Sequence, residues 1–124
     1  MSNYLLSTYR VAGEVPGAPQ GPEEMQAFME RVIAVEEDME ANGAFVFGGA
    51  LQESEAASVI GVGDELVTDG PFAEAKEQIA GFYIISAEND EAARDWARRV
   101  AIATNHPIEV RPFAATGHLK DAIA

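Results

Sequence analysis

The sequence predicts a single α+β domain, and three observations lead to that prediction. The chain has 124 residues, of which 48% are hydrophobic, which is enough to build one core. Several short stretches have the alternating or continuous apolar pattern of strands, and two longer stretches have the 3.6-residue period of amphipathic helices. Their order is strand, helix, strand, hairpin, strand, helix, strand.

The first strand is predicted over residues 4–10, where aromatic, apolar and hydroxyl residues follow one another without a helix breaker. Residues 13–21 are predicted to be a loop because they contain repeated Pro and Gly. A long helix begins at Pro22, and Asn42 and Gly43 are suited to end it in a left-handed conformation. Its apolar face, with methionines that we interpret as core filling, comprises Met25, Phe28, Met29, Val32, Val35 and Met39.

Residues 44–52 return to a strand pattern that assigns alternate residues to opposite faces. Gly48 and Gly49 weaken this strand, so they indicate a bulge or a close approach of backbone or ligand, and close packing is the interpretation that we favour. The alternation predicts one face with Phe45, Phe47 and Leu51 and another with Val46, Gly48 and Ala50.

A hairpin follows, with short strands over residues 57–62 and 65–68 around a Gly63-Asp64 turn. Residues 79–87 are apolar at consecutive positions, which predicts a strand that is buried on both faces.

The second helix is capped by Asn89 or Asp90 and ends at residues 105–107. Its apolar stripe comprises Ala93, Trp96, Ala97, Val100 and Ala101. Its arginines, which we interpret as a solvated face rather than a phosphate site, are Arg94, Arg98 and Arg99. A last strand over residues 108–113 and a tail over 114–124 complete the chain.

Without the hairpin, this order is βαββαβ, the ferredoxin-like plan of two helices on one face of an antiparallel sheet. The helices can cover one face of the sheet, yet several strands carry bulky apolar residues on both faces. We therefore expect a homodimer whose sheets pack face to face as a dimeric α+β barrel. Coverage by the tail and the hairpin is the alternative.

Composition excludes several classes of function. Twenty-one acidic against eight basic residues give a net charge of −13, which disfavours nucleic acid as a partner and favours solubility. The chain has no cysteine, and its first residues have neither a basic segment nor a long apolar run, so we expect a cytoplasmic protein without a membrane anchor. Metal-ligand spacings, a P-loop and a dinucleotide fingerprint are absent from the sequence, so we expect no cofactor.

The strongest candidate for chemistry is Asp69, which ends the hairpin and opens the run Asp69-Gly70-Pro71-Phe72. A carboxylate there can act as a general base, or orient a ligand's amine or hydroxyl, if burial raises its pKa. The alternative is that it accepts backbone N–H bonds in the turn, a frequent role of aspartate.

Five further residues are candidates for ligand binding. Lys76 and Glu77 follow the turn and can meet a charged ligand or join an ion-pair network. Glu109 and Arg111 are two residues apart on the last strand, so they share a face and can bind an anionic or polar ligand or form a structural salt bridge. Tyr83 offers a hydroxyl, or is a core aromatic residue with a satisfied polar tip.

The run from Val67 to Gln78, followed by Gly81-Phe82-Tyr83, resembles the signature of the YCII-related family, in the subgroup named for its Asp-Gly-Pro-Phe motif. Weaker similarities extend over nearly the whole chain. They include Tyr4-Leu5-Leu6, Gly49-Ala50-Leu51-Gln52, Glu91-Ala92, Trp96-Ala97 and the closing Ile108-Glu109-Val110-Arg111-Pro112.

The resemblance implies a ferredoxin-like dimeric α+β barrel with a small cleft at the subunit junction. A histidine-aspartate mechanism has been suggested for some relatives, but neither His106 nor His118 falls in a matching motif, and Ala75 stands where relatives often have threonine. Members of the subgroup often occur beside sigma factors of the extracytoplasmic-function class. We therefore expect a small-molecule-binding protein or enzyme with its cleft at Asp69, Lys76, Glu109 and Arg111, for which acid-base chemistry is one reaction type. The alternatives are an accessory protein that docks on such a regulator and a structural dimer whose motif serves only folding.

Overall fold

The structure, a computed structural model, describes residues 1–11, 19–63, 66–69 and 77–122. At residues 10, 11, 66–69, 77 and 122 the structure describes the backbone but not the side chains. Six strands are described: β1 Ser2–Val11, β2 Phe45–Ala50, β3 Ser58–Ile60, β4 Leu66–Asp69, β5 Glu77–Ala87 and β6 Glu109–Pro112. Three helices are described: α1 Gly21–Ala41, α2 Asp90–Thr104 and the short α3 Leu119–Ala122. A single 3₁₀ turn spans Ser54–Ala56.

The main sheet has the strand order β2-β5-β1-β6, and each neighbouring pair is antiparallel. Strands β3 and β4 form a separate antiparallel pair. Gly63, which follows β3, has a φ of +115°. This order is that of a ferredoxin-like α+β domain with an inserted hairpin, as the sequence predicts. The dimeric barrel stays a prediction.

Helix α1 is longer than the core that it covers. Pro22 lies in its first turn, and Gly43, with a φ of +69°, follows its end. Its buried residues are Val35 and Met39, both in the C-terminal half. Met25 and Met29 are 45% and 53% exposed, so their predicted role as core filling is wrong: they lie in the N-terminal half, beyond the core cluster.

Helix α2 has the ends that its sequence predicts. The side chain of Asn89 accepts a hydrogen bond from the backbone N–H of Ala92 at 2.8 Å, and Asn105 ends the helix with a φ of 56°. Such an N-cap satisfies one of the free N–H groups of the first turn. The three arginines of the helix are exposed; Arg98 pairs with Asp95 and Arg99 with Asp38.

The core lies between the two long helices and one face of the sheet. Leu6 and Ile85 from the sheet are 1% and 0% exposed, and Ala93 and Val100 from α2 pack in the same cluster. Tyr4 is also buried there, and its hydroxyl donates a hydrogen bond to Asp90 at 2.8 Å. That hydrogen bond, more than burial, raises the pKa of Tyr4.

The predicted alternation of β2 is wrong at its start. The pairing with β5 shifts between Phe45 and Phe47, which lie opposite Ile85 and Ile84 respectively. Adjacent residues of β5 point to opposite faces, so the bulge places Phe45 on the helix side and Phe47 on the other side. A bulge adds one residue to a strand, and a period-two pattern cannot reveal it.

The sheet face away from the helices, here called the open face, is only partly covered. Leu5, Phe82 and Ile84 are half-buried there, while Phe47 is 58% exposed and packs against Phe82 at 6.1 Å between ring centroids. The prediction of burial on both faces of β5 therefore holds for Ile85 and Ala87 on the helix side, and only partly on the open face.

Candidate functional site

A cleft of about 390 Å³ lies between the sheet and the two long helices. Strands β1, β2 and β5 form its floor, and α1 and α2 form its roof. Its walls are largely apolar, with Leu6, Val32, Phe45 and Val100 among the lining residues. A concave apolar site with a few polar groups is the usual form of a small-molecule site.

Glycine at position 48 lets an aromatic ring lie across the floor of this cleft. A Cβ atom at Gly48 would be 2.6 Å from Cδ1 and 2.9 Å from Cε1 of Tyr83, closer than real Cβ contacts. Phe45 packs edge-on against the same ring, with 6.1 Å between centroids. Close packing, which the sequence favours as the reason for this glycine, is confirmed.

The polar end of the cleft is formed by Glu36 of α1 and Tyr83 of β5. The hydroxyl of Tyr83 donates a hydrogen bond to Oε2 of Glu36. Burial, followed by this hydrogen bond and the charge of Glu36, raises the pKa of Tyr83 far above its ordinary value. The hydroxyl of Tyr83 therefore stays protonated and holds Oε2 of Glu36 in place. The other oxygen, Oε1 of Glu36, has no hydrogen bond within the described part of the chain.

Two threonines add hydroxyl oxygens to the lining. Oγ1 of Thr8 donates a long hydrogen bond to the carbonyl of Gly81 at 3.4 Å, and Oγ1 of Thr104 donates to the carbonyl of Val100 at 2.8 Å. Because the hydroxyl proton of Thr104 is directed at a backbone carbonyl, its oxygen is left as an acceptor for a ligand. The cleft thus combines apolar walls with a few polar groups.

The sequence-predicted ligand residues are divided between the two faces of the sheet. Tyr83 lies in the cleft on the helix side. Glu109 and Arg111 lie opposite Ser7 and Leu5 on the open face, where Arg111 donates to Oε1 of Glu109 at 2.7 Å. Their side chains are 41% and 66% exposed, so an exposed ion pair, rather than a buried pair, occupies that position.

The remaining predicted residues belong to the segment before β5. Asp69 is the last residue of β4 and Glu77 is the first of β5, so both are placed at strand ends, while their side chains lie outside the description. Lys76 and the turn residues 70–75 lie outside the described residues as well. Their predicted roles stay predictions.

Sequence reasoning missed Glu36, although a signal for it exists. Glu36 lies four residues after Val32 and three before Met39, so it interrupts the predicted apolar face of α1. A carboxylate in such a position is costly unless it has a partner, which makes it a candidate for function. The partner, Tyr83, becomes apparent only from the packing of α1 on β5.

Other kinds of site can be checked over the described ranges. Within them, three or more His, Cys, Asp or Glu side chains do not come together in a group that could hold a metal ion. Among the described helices, none is long and apolar enough to cross a membrane.

Comparison with known proteins identifies the family of this chain. The chain is 46% identical over 54 residues to an uncharacterised protein of Rhizobium meliloti (strain 1021), a match that spans 42% of this chain and 44% of that relative. The YCII-related domain matches residues 3–115, nearly the whole length. The chain therefore belongs to the YCII-related family.

Proposed function

We propose that the protein binds a small organic molecule in the cleft between sheet and helices, and that Glu36 accepts a proton or hydrogen bond from it. The observation that supports this proposal best is the state of the Glu36 carboxylate. One of its oxygens is fixed by Tyr83, and the other is without a hydrogen bond among the described residues, beside an apolar cavity.

This arrangement suits acid-base chemistry. A general base needs a free oxygen within hydrogen-bond reach of the bound molecule and a second group that fixes its orientation. Tyr83 supplies the second group, and its raised pKa keeps the proton on the phenol rather than sharing it with the substrate. Glu36 is half-buried beside apolar walls, where electrostatic interactions are stronger than in bulk water.

The experiment that tests this function is a thermal-shift screen against a metabolite library, with Glu36→Gln measured alongside. A ligand at about 100 times its Kd stabilises the protein by about 2.7 kcal/mol, which is easily detected. Glu37→Gln is the matched control, because Glu37 is the exposed neighbour on the same helix. Hits that Glu36→Gln loses and Glu37→Gln retains support the proposal; hits that both variants retain contradict it.

The proposal includes a homodimer formed through the open face. Half-buried Leu5, Phe82 and Ile84 and the exposed ring of Phe47 make this face apolar, and a second copy is the partner that the resemblance implies. Asp69, the last residue of β4, stays a candidate ligand contact within this proposal. Docking on a sigma factor stays the alternative prediction.

A further inference from the structure

We infer that the natural ligand of the cleft is an organic cation, an ammonium group carried on an apolar body. This inference rests on the proposed function, since it names the class of molecule that the Glu36 cleft accepts. It depends on three features of the described residues: the polarity of the lining groups, the aromatic walls and the charge of the protein.

The polar side chains of the lining favour acceptors over donors. Glu36 presents an oxygen without a hydrogen bond among the described residues, and the hydroxyl proton of Thr104 is directed at the carbonyl of Val100. The phenol proton of Tyr83 is directed at Glu36 and its raised pKa keeps it there. A carboxylate or phosphate ligand would find no charged donor among these groups, whereas an ammonium group has three N–H bonds to donate.

The charges of the described lining residues point the same way. Glu36 is the charged residue among them, and neither lysine nor arginine is included. A bound anion would lie beside a carboxylate without a counter-charge from this lining, which is unfavourable in an apolar environment. A bound ammonium group would form a charge-assisted hydrogen bond with the same carboxylate.

Aromatic walls and net charge favour a cation further. The rings of Phe45 and Tyr83 line the cleft on the helix side, and the faces of such rings attract cations. The whole chain carries a net charge of −13, so its field raises the local concentration of cations and lowers that of anions.

The test uses four probes with the same aromatic body: phenethylamine, phenethyl alcohol, phenylacetate and ethylbenzene. Binding to the full chain is followed by NMR at the backbone amides of Gly48 and Gly81, which line the cleft. We expect phenethylamine to bind at least about ten times more tightly than phenylacetate, with the alcohol between them. We expect Glu36→Gln to remove most of this preference and Glu37→Gln to retain it.

Glu36→Ala also removes the charge and should lose the preference for phenethylamine, which provides a second variant if Glu36→Gln folds poorly. Phenylacetate that binds as tightly as phenethylamine at Gly48 and Gly81 would overturn the cation inference but leave the cleft as a binding site. Probes that leave both amides unperturbed at millimolar concentration would overturn the inference and the proposed function together. A preference that Glu36→Gln does not change would reflect general attraction to the acidic surface and would also overturn the inference.

Discussion

Tyr83, in the middle of β5, donates its hydroxyl hydrogen to the carboxylate of Glu36 on α1 and so joins the sheet to the helix at the polar end of the cleft. The contact is possible because Gly48 has no side chain and leaves room for the ring. Three consequences can be measured separately: the titration of the tyrosine, the packing of the ring and the binding of a ligand.

The first prediction concerns stability at alkaline pH. Burial and the contact with Glu36 raise the pKa of Tyr83, so the folded state holds this proton more tightly than the unfolded chain, where tyrosine titrates at about 10. The stabilisation is fully present below about pH 10 and is lost as the pH rises through the folded-state pKa. Between about pH 10 and the folded-state pKa of Tyr83, we expect the free energy of unfolding to fall with pH more steeply in the wild type than in Tyr83→Phe. Denaturant titrations at a series of pH values measure this, and parallel curves would contradict the prediction.

The second prediction uses neighbouring glycines as a matched pair. In Gly48→Ala the new methyl group would lie 2.6 Å from the ring of Tyr83, so the ring must move, at a cost of about 1–3 kcal/mol in unfolding free energy. In Gly49→Ala the nearest atoms belong to Phe82 at 3.6 Å, an ordinary contact, and we expect a change within about 0.5 kcal/mol. Thermal unfolding of both variants measures the difference. Equal stabilities would show that the ring is not held against Gly48.

The sequence is sufficient for the fold because each element has a local signal. Periodicity locates α1 and α2, and Asn89 and Asn105 lie at the ends of α2 as expected. The site depends instead on which face of the sheet each residue occupies. The bulge between Phe45 and Phe47 leaves no trace in an alternating pattern.

The register of three strands decides the position of the predicted ligand residues. Leu6 lies opposite both Tyr83 and Val110, so Tyr83 is on the helix side, while Glu109 and Arg111 are on the open face. Sequence spacing predicts that Glu109 and Arg111 share a face of the sheet, and the structure confirms it. It cannot establish that this face is opposite to that of Tyr83, because that requires pairing between residues far apart in the chain.

The third prediction concerns the start of α2. Asn89→Ala removes the side chain that accepts from the Ala92 N–H, and we expect a loss of about 1 kcal/mol in unfolding free energy. Asn89→Asp keeps an acceptor at the N-cap and should remain close to the wild type. Chemical denaturation compares the two variants. A similar loss in both would assign the effect to something other than the cap.

The fourth prediction tests the proposed homodimer. Phe47→Asp places a charge on the open face at a ring that is 58% exposed, so we expect it to shift a dimer toward monomer. Ile102→Asp is the control, because Ile102 is 78% exposed on α2, on the other side of the sheet. Light scattering coupled to size exclusion gives the mass of each variant. A wild-type monomer, or a dimer that Phe47→Asp leaves intact, would contradict the proposal.

The last prediction separates the two interpretations of Asp69, the residue that ends β4. A turn role needs a side-chain acceptor but no charge, so Asp69→Asn should retain stability, whereas Asp69→Ala should lose about 1 kcal/mol. A role as catalytic base or ligand contact needs the charge, so both variants would lose ligand binding or turnover. We expect the turn pattern, with the affinity for cleft ligands unchanged, because Glu36 already supplies the carboxylate of the cleft. Thermal unfolding and ligand titration of the two variants measure both quantities, and an Asp69→Asn variant that is stable but no longer binds would establish Asp69 as part of the site.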